Sequence, residues 1–210
     1  MLELLTGAGL ASAAGLNAYV PLLLVGLVAR FTGLLDLSPA WQWLEHPVFL
    51  VVLAVLLVVE MGADKVPGLD SANDIVQTLI RPTSGGITFG AGASSLAPDE
   101  VASLADGSGS WAPVFAGVCI ALLLHIAKAL ARPVLNALTF GTGAPVVSTL
   151  EDISSTVVAV LAIVVPILII VVVPLIVVLL VWAIRRRRRR KAAKAAGAAG
   201  AARPGGGASA

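Results

Sequence analysis

The chain has 210 residues, of which 58% are hydrophobic and only 12% charged. A soluble domain is about a quarter charged, so this composition excludes an ordinary water-covered globule and points to lipid as the outer solvent. Residues 1–184 hold 5 Lys/Arg against 12 Asp/Glu, whereas residues 185–210 hold 9 Lys/Arg and no acid; the net +2 is an acidic body with a basic tail, not a nucleic-acid-binding domain.

The expected fold is all-α: a polytopic helical membrane bundle with about four transmembrane helices, two short Gly-rich segments and an internal repeat. The spans are expected at 4–29, 47–63, 111–131 and 156–184, within a transmembrane domain of residues 1–184. Residues 185–210 are expected to form a basic, Ala/Gly-rich, disordered cytoplasmic tail.

Leu4 to Ala29 contains no charge. The opening Met-Leu-Glu lacks the basic flank of a secretory signal, so this run is expected to stay as a helix. Asn17 and Pro21 interrupt it and predict a kink or partial unwinding near its middle. Residues 31–46 read as a loop, with Trp41 and Trp43 suited to a membrane–water interface and His46 an interface residue rather than a metal ligand. Pro47 suits the first turn of the next helix, which Glu60 and Asp64 close on one face.

Asp70-Ser71-Ala72-Asn73 predicts the cap of a short helix running to Ile80, ended by Pro82, Gly85 and Gly86. Ile87 to Ala97 is too short to span and would re-enter the membrane only where protein covers it. Residues 98–110 read as a polar loop. Trp111 to about Ala131 is the third span, ended or kinked at Pro133. Ile153 to Ile184 would reach about 48 Å as one helix, so it must tilt, bend or start before the membrane. Arg185–Arg190, Lys191 and Lys194 follow at once. That is a positive-inside signal, placing the C-terminus in the cytoplasm of a bacterial inner membrane, with anionic lipid head groups as partners of Arg185–Arg190.

Two stretches align at a spacing of 51 residues: Leu79 to Ala93 and Leu130 to Ala144 share Leu, Arg, Pro, Thr, Phe, two Gly and Ala at eight of fifteen positions. Paired, interrupted hydrophobic segments point to a binding site in transporter-like folds; close helix packing through small residues is the plainer reading. In the same register Asp74 matches His125, Gln77 matches Lys128 and Arg81 matches Arg132. Asp70, Asp74, Thr78 and Arg81 fall on one helix face, and His125, Lys128 and Arg132 on another. Charged groups at membrane depth turn inward and pair. Asp70 or Asp74 is therefore expected beside His125 or Lys128, with Asn17, Glu60, Asp64, Lys65, Glu151 and Asp152 as further members of the cluster.

No enzyme motif is present, so no catalytic residue is assigned. Cys119 is the sole cysteine, which excludes an internal disulfide. Two distant histidines give no metal site, and no cofactor is expected.

Three separated polar motifs suggest a family. Gly15-Leu16-Asn17-Ala18-Tyr19-Val20-Pro21-Leu22 is the first. Ala63-Asp64-Lys65-Val66-Pro67, with Asp70, Asp74 and Arg81-Pro82, is the second. Gly143-Ala144-Pro145-Val146-Val147-Ser148-Thr149-Leu150-Glu151-Asp152 is the third. Over residues 4–183 they resemble a family of bacterial membrane proteins known only as a domain of unknown function. The resemblance implies a membrane location and supplies no activity. The expectation is a small channel-like or transporter-like protein for an ion or small polar solute, not an enzyme. The alternative is a membrane scaffold or accessory subunit whose cluster only docks helices. The lipid bilayer is the expected partner, a homo-oligomer is compatible with the sequence, and nucleic acid is not a partner.

Overall fold

Small residues set the centre of the structure. The computed structural model describes residues 2–64, 69–94, 111–139 and 144–169, together with 171, 173–179, 182 and 185. Among these residues the chain is all-helical. Helix α1 (Leu2–Leu16) is rich in Gly, Ala and Ser, and its residues Thr6, Gly7 and Gly9 to Leu16 are buried. Around it lie α2 (Tyr19–Phe31), α3 (Pro47–Ala63), α4 (Leu69–Ser94), α5 (Ala112–Thr139) and α6 (Ala144–Val164). Helix α1 packs against α4, α5 and α6.

Glycines allow these helices to approach backbone to backbone. A Cβ on Gly85 would lie 2.7 Å from the Gly117 carbonyl oxygen, and one on Gly117 would press on the Gly85 carbonyl. A Cβ on Gly15 would lie 2.7 Å from the Ala121 carbonyl oxygen. Thus α1, α4 and α5 meet where side chains are missing.

The contacts also give the helix directions. Gly7 packs on Phe89 and Gly15 on Arg81, so α1 and α4 are antiparallel. Helix α3 runs from the Trp41 loop to Glu60. The Trp41 ring lies on Gly90 and Glu60 reaches Arg81, so α3 is also antiparallel to α4. Gly26 of α2 packs on Leu50 of α3, near the start of that helix. The chain therefore reverses at Asn17–Ala18, and α1 and α2 form a helical hairpin. Its arms of 15 and 13 residues are about 22 and 20 Å long. The single helix expected at 4–29 is corrected: the break near Asn17 is a reversal.

Two further helices exceed their expected bounds. Pro82 and the glycines after it do not end α4, which continues to Ser94. The first Gly-rich segment is thus the second half of a 26-residue helix, not a separate short element. Pro133 likewise lies inside α5. The helix expected to start at 156 begins at Ala144 and breaks at Val165, where a 3₁₀ turn, Pro166–Leu168, follows. In the 31–46 connection, a 3₁₀ turn spans Gln42–Glu45, and His46 Nδ1 accepts from Val48 N (3.3 Å) to cap α3.

The surface is inverted relative to a soluble protein. Val51, Val55, Val58 and Val59 of α3, Phe115, Leu123 and Leu130 of α5, and Val146, Ile153 and Val164 of α6 are exposed, while Glu60, Asp64, Arg81, His125 and Lys128 are buried. Two helical stretches, Ala112–Leu130 and Pro145–Val164, are long and apolar enough to cross a membrane.

Candidate functional site

Reversing the chain after Leu16 strips α1 of the turn that would have satisfied its last carbonyls. Side chains from other helices supply the donors. Arg81 Nη1 donates to Gly15 O (3.3 Å) and Lys128 Nζ to Leu16 O (3.2 Å), while Ser155 Oγ adds a second donor (2.9 Å) to Ala13 O, which still accepts from Asn17 N (3.0 Å). Ser84 Oγ donates to Ala18 O at the turn itself (2.6 Å). Two cations thus sit at the negative end of the α1 dipole.

Asn17 organises the other side of the break. Its Oδ1 accepts from Tyr19 N (3.0 Å) and Val20 N (3.1 Å), the pattern of an N-cap for α2. Its Nδ2 donates to Asp152 Oδ1 (2.9 Å). The carboxylate of α6 is thereby brought to the positive end of α2, where the dipole favours it.

Each cation then gathers acids. Arg81 is fully buried and Glu60 is 3% exposed; Arg81 Nη2 lies 3.1 Å from Glu60 Oε1, and Arg81 Nε donates to Gln77 Oε1 (3.5 Å) one turn earlier. Lys128 Nζ lies 2.9 Å from Glu151 Oε2 and 3.8 Å from Asp64 Oδ2. Asn73 Nδ2 donates to Asp64 Oδ1 (2.8 Å). His125 Nε2 lies 3.0 Å from Thr78 Oγ1. Among the described residues the centre holds four carboxylates, Glu60, Asp64, Glu151 and Asp152, against the cations Arg81 and Lys128. Two polar oxygens at this end of the bundle, Glu60 Oε2 and Ser148 Oγ, are buried and accept from no described group.

The structure brings together Asn17, Glu60, Asp64, Arg81, His125, Lys128, Glu151 and Asp152. Among the described residues Asp64 and Glu151 lie beside Lys128, and Thr78 lies beside His125. Lys65 lies outside the described residues. Asp70, Asp74 and Arg132 belong to α4 and α5, but their side chains lie outside the described set, and so does their expected pairing. Sequence reasoning gave no role to Ser84 or Ser155. One signal was available: Ser148, Asp152 and Ser155 recur at i, i+4 and i+7, which is one helix face. Among the described residues no group of three or more His, Cys, Asp or Glu is placed to hold a metal ion.

Comparison of the whole chain with known families gives a match. Residues 4–186 match the family model described as a domain of unknown function, DUF4126. The chain belongs to the DUF4126 family. The match covers every described helix from α1 to α6, so the polar centre lies inside the DUF4126 domain. No curated protein and no solved structure matches the chain.

Proposed function

We propose that this DUF4126 protein is a polytopic inner-membrane protein whose polar centre lies on a channel-like or transporter-like path for an ion or small polar solute. The observation that carries this reading is one carboxylate oxygen at the tip of the α1–α2 hairpin, Glu60 Oε2, which is buried and accepts from no described group. A cluster that only docked helices would be expected to satisfy every buried charged atom, because leaving one unsatisfied is expensive. Among the described residues Glu60 and Asp64 are buried with Arg81 and Lys128, and Glu151 and Asp152 lie beside them, partly exposed.

The architecture supports the same reading. Each hairpin arm is shorter than the roughly 30 Å hydrocarbon core, and irregular backbone at membrane depth is tolerated only where protein or a polar cavity surrounds it. The hairpin therefore takes the re-entrant role that the Gly-rich segments suggested, while α5 and α6, which hold the two long apolar stretches, cross. Half-helix ends that face a polar centre are a recurring device for ion and solute sites. The matching units Leu79–Ala93 and Leu130–Ala144 begin in the two helices that carry Arg81 and Lys128, which fits a duplicated origin. The basic run from Arg185 holds the C-terminus in the cytoplasm and engages anionic lipid.

A second reading, a scaffold or accessory subunit, is favoured by how dry the centre is: Asp64 is 3% exposed and Lys128 and His125 are each 2% exposed. A flux screen separates the two. Purified protein in proteoliposomes is expected to pass an ion or small solute, and Glu151→Gln, at a partly exposed acid that can still accept from Lys128, is expected to reduce that flux sharply while the fold survives. Folded wild-type protein inactive towards the full panel would sink the transport reading and leave the scaffold.

A further inference from the structure

The two oxygens of Glu60 are held differently. One oxygen, Oε1, is held by Arg81 Nη2 at 3.1 Å. The other, Oε2, is buried and accepts from no group among the described residues. A buried acceptor without a donor forfeits its hydration, and the loss is larger when the group is charged.

We propose that the ligand of this centre is the proton, taken up at Oε2 of Glu60. Protonation turns the donorless carboxylate oxygen into a neutral hydroxyl, which costs less to bury than a charged oxygen with no donor. The Arg81 guanidinium stays charged and keeps its bonds to Gly15 O and Gln77 Oε1. A metal cation fits poorly at the same oxygen. It needs several oxygen ligands, and it would sit close to the guanidinium, where like charges repel strongly in a dry site. A proton needs one oxygen and displaces nothing.

The groups facing Glu60 set the balance. Arg81 and Gln77 face it from α4, Tyr19 from α2, Asp64 from its own helix and Lys128 from α5. Glu151 and Asp152 of α6 belong to the same centre through Lys128 and Asn17. Glu45 and His46 flank the far, N-terminal end of α3. Uptake also has a mechanical consequence. Helix α3 packs mainly on α2 and only lightly on α4, so the Arg81–Glu60 ion pair is a main polar tie between α3 and α4. Neutralising Glu60 weakens that tie, and releasing the proton restores it.

The proton takes its purpose, though not its chemistry, from the transport reading, and the test keeps the two apart. Infrared titration of the full-length protein in liposomes, with carboxyl-labelled glutamate, is expected to show the carbonyl stretch of a buried protonated glutamic acid that grows as pH falls. It should be missing in Glu60→Gln and kept in Asp152→Asn. The isotope shift marks a glutamate in the wild type, so a poorly folding variant does not block the measurement. A pH-gradient flux assay runs alongside. The stretch with proton flux supports both ideas; the stretch without any flux leaves the proton site and removes transport. Flux of another ion with no buried glutamic acid stretch overturns the proton site alone. A stretch that persists in Glu60→Gln also overturns it.

Discussion

Arg81 Nη2 lies 3.1 Å from Glu60 Oε1, with the arginine side chain fully buried and the glutamate side chain 2% exposed. Because Arg81 also donates to Gly15 O, this one residue ties α3 and α4 to the end of α1. Removing one member of a buried pair strands the other, at about 3–5 kcal/mol. Arg81→Met is expected to lose about that much stability, measured by thermal or denaturant unfolding in mild detergent. The double variant Arg81→Met/Glu60→Leu should recover most of it. A double variant as unstable as the single one would show that the Gly15 carbonyl, not the ion pair, makes Arg81 necessary.

Asn17 joins three partners: two backbone amides and Asp152. Losing a side-chain N-cap costs about 1–2 kcal/mol. Asn17→Ala should therefore destabilise by at least that amount, since Asp152 loses a donor as well. Asn17→Asp keeps the cap but sets two carboxylates against each other, and should be worse near neutral pH. The exchange Asn17→Asp/Asp152→Asn restores one donor and one acceptor and should return most of the loss. The check is a melting-temperature cycle over the four proteins; additive losses would mean the two residues are not coupled.

Gly85 and Gly117 meet backbone to backbone, whereas a Cβ on Gly62 would meet nothing within 4 Å. Gly117→Leu is expected to abolish the monodisperse folded protein, because the opposing group is a carbonyl that cannot move aside. Gly62→Ala, in an open helical position, should stabilise by about 0.5–1 kcal/mol. Size-exclusion profiles and melting temperatures give the answer. A well-folded Gly117→Leu protein would mean that α4 and α5 do not cross there.

Cys119 is the only cysteine and is exposed on α5, between the exposed Phe115 and Leu123. If lipid covers this face, a membrane-impermeant maleimide should leave Cys119 unlabelled in intact vesicles on both sides, while a lipid-soluble one labels it. Rapid labelling by the impermeant reagent would place α5 in water and contradict the membrane reading.

Much of this centre was legible because charge is scarce in the chain. With few ionisable residues in an apolar background, Glu60, Asp64, Arg81 and Lys128 had few partners except one another, and helical spacing put Glu60 with Asp64 and His125 with Lys128. The break at Asn17 was visible too, but its angle was not. Reversal depends on donors from α4, α5 and α6, which are distant in sequence. Pro82 misled for a related reason. In isolation it ends a helix, yet hydroxyls beside it bond locally: Thr83 Oγ1 donates to Leu79 O (2.8 Å) and Thr88 Oγ1 to Ser84 O (2.8 Å). The glycines after it remain helical because α1 and α5 press on both sides. Tertiary packing overrode propensity there.

The open carbonyls at the end of α1 have a consequence for biogenesis. The hairpin is made first, but the donors to Gly15 O, Leu16 O and Ala18 O arrive with residues 81, 128 and 84. Until those helices leave the ribosome and dock, the tip of α1–α2 presents bare backbone acceptors to lipid or to the insertion machinery. The first helices to be synthesised are thus among the last to be completed. Chains truncated before Lys128 should be held by the insertion machinery or cleared by membrane proteases rather than released into the bilayer.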